Sequence, residues 1–170
     1  MAEALKIMFD NGFVDDLCAA LSQHHPPIDT SALQSCIYDD GWQHRELKAR
    51  IRHISTCLRC ALPDGYRDAL HILRQAAPLL DHYDYQTMIF PDFVEAYGLD
   101  DWGASLAALE QFTQQSSAEF AVRPFIEQDT AAMMARMLEW TQHESEHLRR
   151  LASEGCRPRL PWASSLPAFK

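Results

Sequence analysis

In residues 46–60 the apolar side chains Leu47, Ile51, Ile54 and Leu58 recur at intervals of four, three and four, the spacing that lays them along one face of an α-helix. A second stripe of Arg45, Lys48, Arg52 and Arg59 runs beside it. Pro63 and Asp64 then open a further predicted helix over 64–77, with Tyr66, Leu70, Leu73 and Ala77 on its apolar side and Pro78 ending it. Two helices joined by so short a turn make a hairpin. The same periodicity predicts helices over 102–114, 117–127, 129–142 and 145–154, and leaves an aromatic-rich, irregular segment over 81–101. Only 6 residues are glycine, and no stretch alternates apolar and polar side chains long enough to read as a strand. The class is all-α.

The hairpins also repeat. A shift of 26 positions lays Ala121-Val122-Arg123-Pro124-Phe125 on His147-Leu148-Arg149-Arg150-Leu151, and Ile51-Arg52 echoes the same apolar-Arg pair. Recurrent helical hairpins point to an α-solenoid of HEAT-like repeats, and at roughly 40 residues per unit about four fit the chain. This reading places the guanidinium groups of Arg52, Arg123 and Arg149 side by side on one concave surface. Residues 1–170 form a single domain in this view. From Arg157 onward three prolines within ten residues forbid regular helix. A solenoid needs an atypical terminal repeat to cover its last apolar face, and none is evident, so the chain is expected to be truncated.

A net charge of −9 argues against a nucleic-acid partner if charge is averaged over the chain. Its distribution argues otherwise. Residues 43–60 carry Arg45, Lys48, Arg50, Arg52 and Arg59 against Glu46 alone, and residues 147–162 carry Arg149, Arg150, Arg157 and Arg159 against Glu154 alone. Of the 15 basic residues 12 are arginine, whose planar fork suits phosphate. Five scattered cysteines, an odd number, fit reduced thiols in a cytoplasmic protein rather than a disulfide framework. Glu3, Lys6, Asp10, Asp15 and Asp16 interrupt the first residues, so no signal peptide is expected. No apolar run approaches the roughly 18 residues of a membrane span.

Several residues invite chemistry. His143-Glu144-Ser145-Glu146-His147 matches the H-E-x-x-H zinc motif, but that motif needs to lie inside a helix with a further ligand downstream. Here Ser145 reads as a helix cap, and a polar turn is expected instead. His53, Cys57 and Cys60 share a helix face but lack a fourth ligand, and inert buried thiols are expected. Ser116-x-x-Glu119 fits a capping box, which would make Glu119 structural. Glu154 precedes Gly155 at a helix end, where a carboxylate faces the negative end of the dipole. Local structure does not reward an acid there, and four arginines flank it. A functional carboxylate and a solvated surface one are both consistent with that pattern.

Ser-Ser-Ala-Glu-Phe-Ala-Val-Arg-Pro-Phe-Ile (116–126) and His-Leu-Arg-Arg-Leu-Ala-Ser-Glu-Gly-Cys-Arg-Pro-Arg-Leu-Pro-Trp (147–162) resemble signature segments of the AlkC-type DNA alkylation repair glycosylases. Leu-Lys-Ala-Arg-Ile-Arg-His-Ile (47–54) and Phe-Val-Glu-Ala-Tyr-Gly-Leu-Asp-Asp (93–101) are similar to further segments of that family. The resemblance implies a HEAT-like α-solenoid that excises bases methylated at ring nitrogens, notably 3-methyladenine, with no metal and no cofactor. It implies that Glu119 and Glu154 are active-site acids and that Trp162 is an aromatic supporting the DNA or the lesion. Arg52, Arg123, Arg149, Arg150, Arg157 and Arg159 become the expected DNA contacts. Duplex DNA carrying alkylated bases is the expected partner, used by a monomer at the nucleoid. Members of the family extend beyond the equivalent of Lys170 with further repeats. A non-catalytic HEAT scaffold that binds DNA or protein is the competing reading.

Overall fold

The computed structural model describes residues 5–169, and among them the regular structure is entirely helical. The first pair is α1 (Asn11–His24) and α2 (Thr30–Ile37), each started by an aspartate. Asp10 accepts from the Phe13 N–H at 2.9 Å and Asp29 from the Ala32 N–H at 2.9 Å, which satisfies amide groups that a helix start leaves free. A 3₁₀ turn at Trp42–His44 leads to α3 (Leu47–Ala61) and α4 (Tyr66–Ala76), the hairpin that periodicity predicted.

The stretch expected to be irregular is not. After 3₁₀ turns at Ala77–Leu80 and Tyr85–Met88 it forms α5 (Ile89–Tyr97). Pro91 lies in the first turn of α5, where an absent N–H breaks no helical bond. Then come α6 (Trp102–Phe112), α7 (Arg123–Gln128), α8 (Thr130–Trp140) and α9 (Glu146–Glu154). The helix expected over 117–127 is shortened to α7, because Pro124 fits only in a first turn and would break the interior of a longer helix.

Packing is between repeats as well as within them. α3 packs mainly on α2 and α5, whereas α4 packs on α1 and α6, and α8 touches both α7 and α9. Two layers result, one of α1, α4 and α6, the other containing α2, α3 and α5. Between them lie Ile51, Ile54 and Leu58 of α3 with Phe90, Phe93 and Val94 of α5, all buried. A hydrogen-bonded node ties three helices together: the Ser105 hydroxyl donates to the Gly98 carbonyl at 2.7 Å and lies 2.7 Å from the Tyr66 hydroxyl. This is a helical-repeat solenoid, and no strand occurs among the described residues.

The first basic segment is largely spent inside this framework. Arg50 is buried, donates to the carbonyls of Lys6 and Arg45, and lies over the Trp42 ring. Arg59 donates to the carbonyls of Pro63 and Asp64 and so holds the turn between α3 and α4. Arg45 pairs with Asp39, and Arg52 pairs with Asp92 and Glu95, each at 2.9 Å. The charge excess of residues 43–60 therefore serves mainly to join elements. Cys57 is buried while Cys36 and Cys60 are exposed, and burial pushes the Cys57 thiol well above its usual value.

Candidate active site

Two carboxylates that are distant in sequence meet on one arginine. Glu154 is the last residue of α9, and Glu119 sits in the turn ahead of α7. The Arg150 guanidinium donates to Glu119 at 3.0 Å and to Glu154 at 3.1 Å. Arg157 approaches the second oxygen of Glu154 at 3.6 Å. Arg150 and Glu154 are one helical turn apart, so α9 itself presents that pair. Glu119 is brought in from the turn ahead of α7.

The environments of the two acids differ. The Glu119 side chain is 12% exposed and that of Glu154 is 22% exposed. Burial, and then a hydrogen bond with Glu154, raises the Glu119 pKa above the usual carboxylate range. The same hydrogen bond, followed by that from Arg150, lowers the pKa of Glu154. The two acids are thereby biased apart, with a proton held more tightly on Glu119 than on Glu154. The more buried acid favours its proton because its charge is poorly solvated, and the acid with two arginines favours its charge.

The capping box does not form. Glu119 lies outside any helix, its N–H donates to Ser117 Oγ at 3.4 Å, and Ser116 Oγ is buried without a hydrogen-bond partner among the described residues. The structural reading of Glu119 thus loses its support. In contrast, the polar turn expected over 143–147 forms in part: the Ser145 N–H donates to His143 Nδ1 at 3.0 Å ahead of α9, while Glu146 and His147 already belong to that helix.

Glu119 and Arg150 form a wall between two cavities. A cavity of about 260 Å³ on one side is polar, lined by Asp84, Gln114, Gln115, Ser116 and His147 among others. That on the other side, about 240 Å³, is apolar, lined by Leu47, Ile51, Phe120, Leu160 and Trp162. Tyr85, Met88 and Ser117 face both. Trp162 stands at the edge of the apolar cavity, 60% exposed, with a left-handed backbone at φ 66°. A non-glycine residue held there is strained. Lys48 supports it by donating to its carbonyl, and the Lys48 ammonium lies 4.9 Å from the centre of the Phe120 ring.

Not every expected contact faces this site. Arg123 does not reach the surface: it is 1% exposed and donates through Nη1 to the carbonyls of Gly155 and Arg157, each at 3.0 Å. The surface row of Arg52, Arg123 and Arg149 accordingly does not exist, because the free carbonyls at the end of α9 draw Arg123 inward. Arg149 turns back to donate to the carbonyls of His143 and Glu144. Arg159 is exposed and makes no ion pair among the described residues. Lys48, Tyr85, Met88 and Phe120 escaped the sequence reading; the one available signal was the position of Lys48 in the basic stripe.

No family model matches the chain. It is 42% identical over 167 residues to the uncharacterized protein YhaZ of Bacillus subtilis, covering 98% of the chain and 46% of that protein. Among solved structures it matches the Pseudomonas fluorescens alkylpurine DNA glycosylase AlkC, bound to DNA containing an abasic site analog. That match has a TM-score of 0.91 at 34% identity and covers 97% of this chain. Over this length the chain is similar to AlkC. It spans about half the length of these relatives, 46% of the AlkC chain among them. The likeness thus extends across nearly all of this chain. No helix among the described residues is long and apolar enough to cross a membrane.

Proposed function

We propose that this AlkC-like chain acts in DNA alkylation repair, as a glycosylase that releases N-methylated cationic bases such as 3-methyladenine from duplex DNA. The observation that carries this reading is the Glu119–Arg150–Glu154 cluster, whose Glu119 and Arg150 line two cavities, in a chain similar to a glycosylase of known structure. An adenine methylated at N3 is already cationic, so its glycosidic bond breaks without protonation of the leaving base. What the site must supply is stabilisation of the positive charge that grows at C1′ of the sugar. Glu154, whose pKa is lowered and which is held by Arg150 and Arg157, is suited to that role and can orient the attacking water. Glu119, held on the same arginine, helps fix the direction of Glu154 through Arg150.

A carboxylate close to phosphates is repelled unless cations lie between them. Arg150 and Arg157 already contact Glu154, and the exposed Arg159 extends the cationic surface outward. Trp162 offers an aromatic face to bases or sugars at the edge of the apolar cavity. No step in this scheme calls for a metal or cofactor. The test is incubation of the protein with duplex DNA bearing 3-methyladenine, followed by chromatography of the freed base. Release of 3-methyladenine, leaving abasic DNA, is expected. Binding of the duplex without base release would replace this reading by that of a non-catalytic scaffold.

A further inference from the structure

We infer that Arg123 is a positioning residue: its buried guanidinium clamps the chain immediately after Glu154 and thereby sets the placement of both Glu154 and Trp162. This inference rests on the proposed function for its catalytic consequence, but not for its structural one. Arg123 Nη1 donates to Gly155 O and Arg157 O, the carbonyls one and three residues beyond Glu154. Gly155 is the C-cap of α9 and Arg157 lies three residues past the helix, where backbone acceptors lack helical partners and the dipole of α9 is negative.

As a stabilising device the arrangement is poor. Arg123 is 1% exposed, yet its Nε and Nη2 find no hydrogen-bond partner among the described residues. Burial lowers its pKa, as expected for a cation taken out of water. It also starts α7, so its charge lies at the positive end of its own helix. A buried charge with incomplete partners is often replaceable by an apolar side chain at little loss of stability. What an apolar side chain could not do is grip two carbonyls at once. Between them the chain leaves α9 and turns toward Pro158 and Trp162, and Gly155 packs so closely on Val122 that a Cβ there would clash with its methyl. Arg123 and Val122 together fix the exit direction of the chain. The clamp acts on the backbone that follows Glu154, while Arg150 and Arg157 act on its carboxylate.

Arg123→Met and Arg123→Lys test this in the intact protein. Three readouts are needed: thermal unfolding, NMR titration of the Glu154 carboxyl with the indole N–H signal of Trp162, and single-turnover release of 3-methyladenine. For Arg123→Met the expected result is a folded protein whose Glu154 titrates at higher pH and whose Trp162 signal shifts or broadens. Base release should fall about tenfold or more at saturating enzyme, with little change in affinity for DNA carrying a tetrahydrofuran abasic analogue. Arg123→Lys retains the cation and one donor, and should lie between Met and the parent in all three. A folded Arg123→Met protein with unchanged Glu154 titration and Trp162 signal overturns the inference. If the Met variant does not fold, Arg123→Lys decides, and parental signals in it overturn the inference equally. A parental protein that releases no base refutes the proposed function, while the NMR measurements still decide the role of Arg123.

Discussion

Glu154→Gln isolates charge from shape. The substitution preserves volume and an acceptor for Arg150, and removes the negative charge that would face C1′. Two unit charges about 4 Å apart at an effective dielectric constant near 20 attract by about 4 kcal/mol. Arg150 at 3.1 Å and Arg157 at 3.6 Å draw off part of the Glu154 field, which leaves about 3 kcal/mol for the transition state, a rate factor of roughly a hundred. Stability should change little, because Arg150 and Arg157 are themselves largely exposed and such pairs contribute about 1 kcal/mol or less. The assay is single-turnover release of 3-methyladenine with enzyme in excess, beside thermal unfolding and DNA binding. Glu119 could ionise once its neighbour is neutral, so Glu119→Gln/Glu154→Gln is measured in parallel; burial, the larger cause of its raised pKa, opposes that substitution of roles. The expected result is a rate loss with unchanged or slightly tighter binding. A Glu154→Gln protein that is folded and excises at the parental rate would refute the catalytic assignment.

Other outcomes follow from the same geometry. Glu119 has a raised pKa in the fold, so its proton favours folding below the ordinary carboxylate value and that contribution disappears as pH rises through the raised value. Glu119→Gln should therefore unfold at higher temperature than the parent at neutral pH, with the difference closing as pH falls toward about 4, in calorimetric scans across pH. Arg159→Ala should weaken binding to duplex DNA regardless of sequence and reduce the slope of log affinity against log salt by about one, read by fluorescence anisotropy. Gly98→Ala should destabilise the protein by about 1–3 kcal/mol in urea unfolding, because a Cβ there would overlap the Ser105 and Tyr66 hydroxyls that join α4, α5 and α6.

The apolar spacing of Leu47, Ile51, Ile54 and Leu58 was enough to specify α3 and its buried face, since helical periodicity is a property of near neighbours. Proline carried information of two kinds. Pro78 ended a predicted helix within a residue or two, but Pro91 and Pro124 proved to be first-turn residues, and only the start of each helix reveals which role a proline has. Residues 1–45 gave no helix in the sequence reading, although Asp10 and Asp29 cap α1 and α2 there. A charge run likewise says nothing about which arginines will meet carbonyls. Arg50, Arg59 and Arg123 became internal clamps because helix ends and turns presented free acceptors beside them. The resemblance of the local segments named Glu119 and Glu154 as candidates, and the repeat pattern set the class of fold. Their meeting on Arg150 was decided by the stacking of α9 against the bend before α7. Sequence determines what each turn of chain prefers over a few residues. The opposite pKa shifts of two acids 35 positions apart depend on burial and distance, which exist only once the repeats have packed.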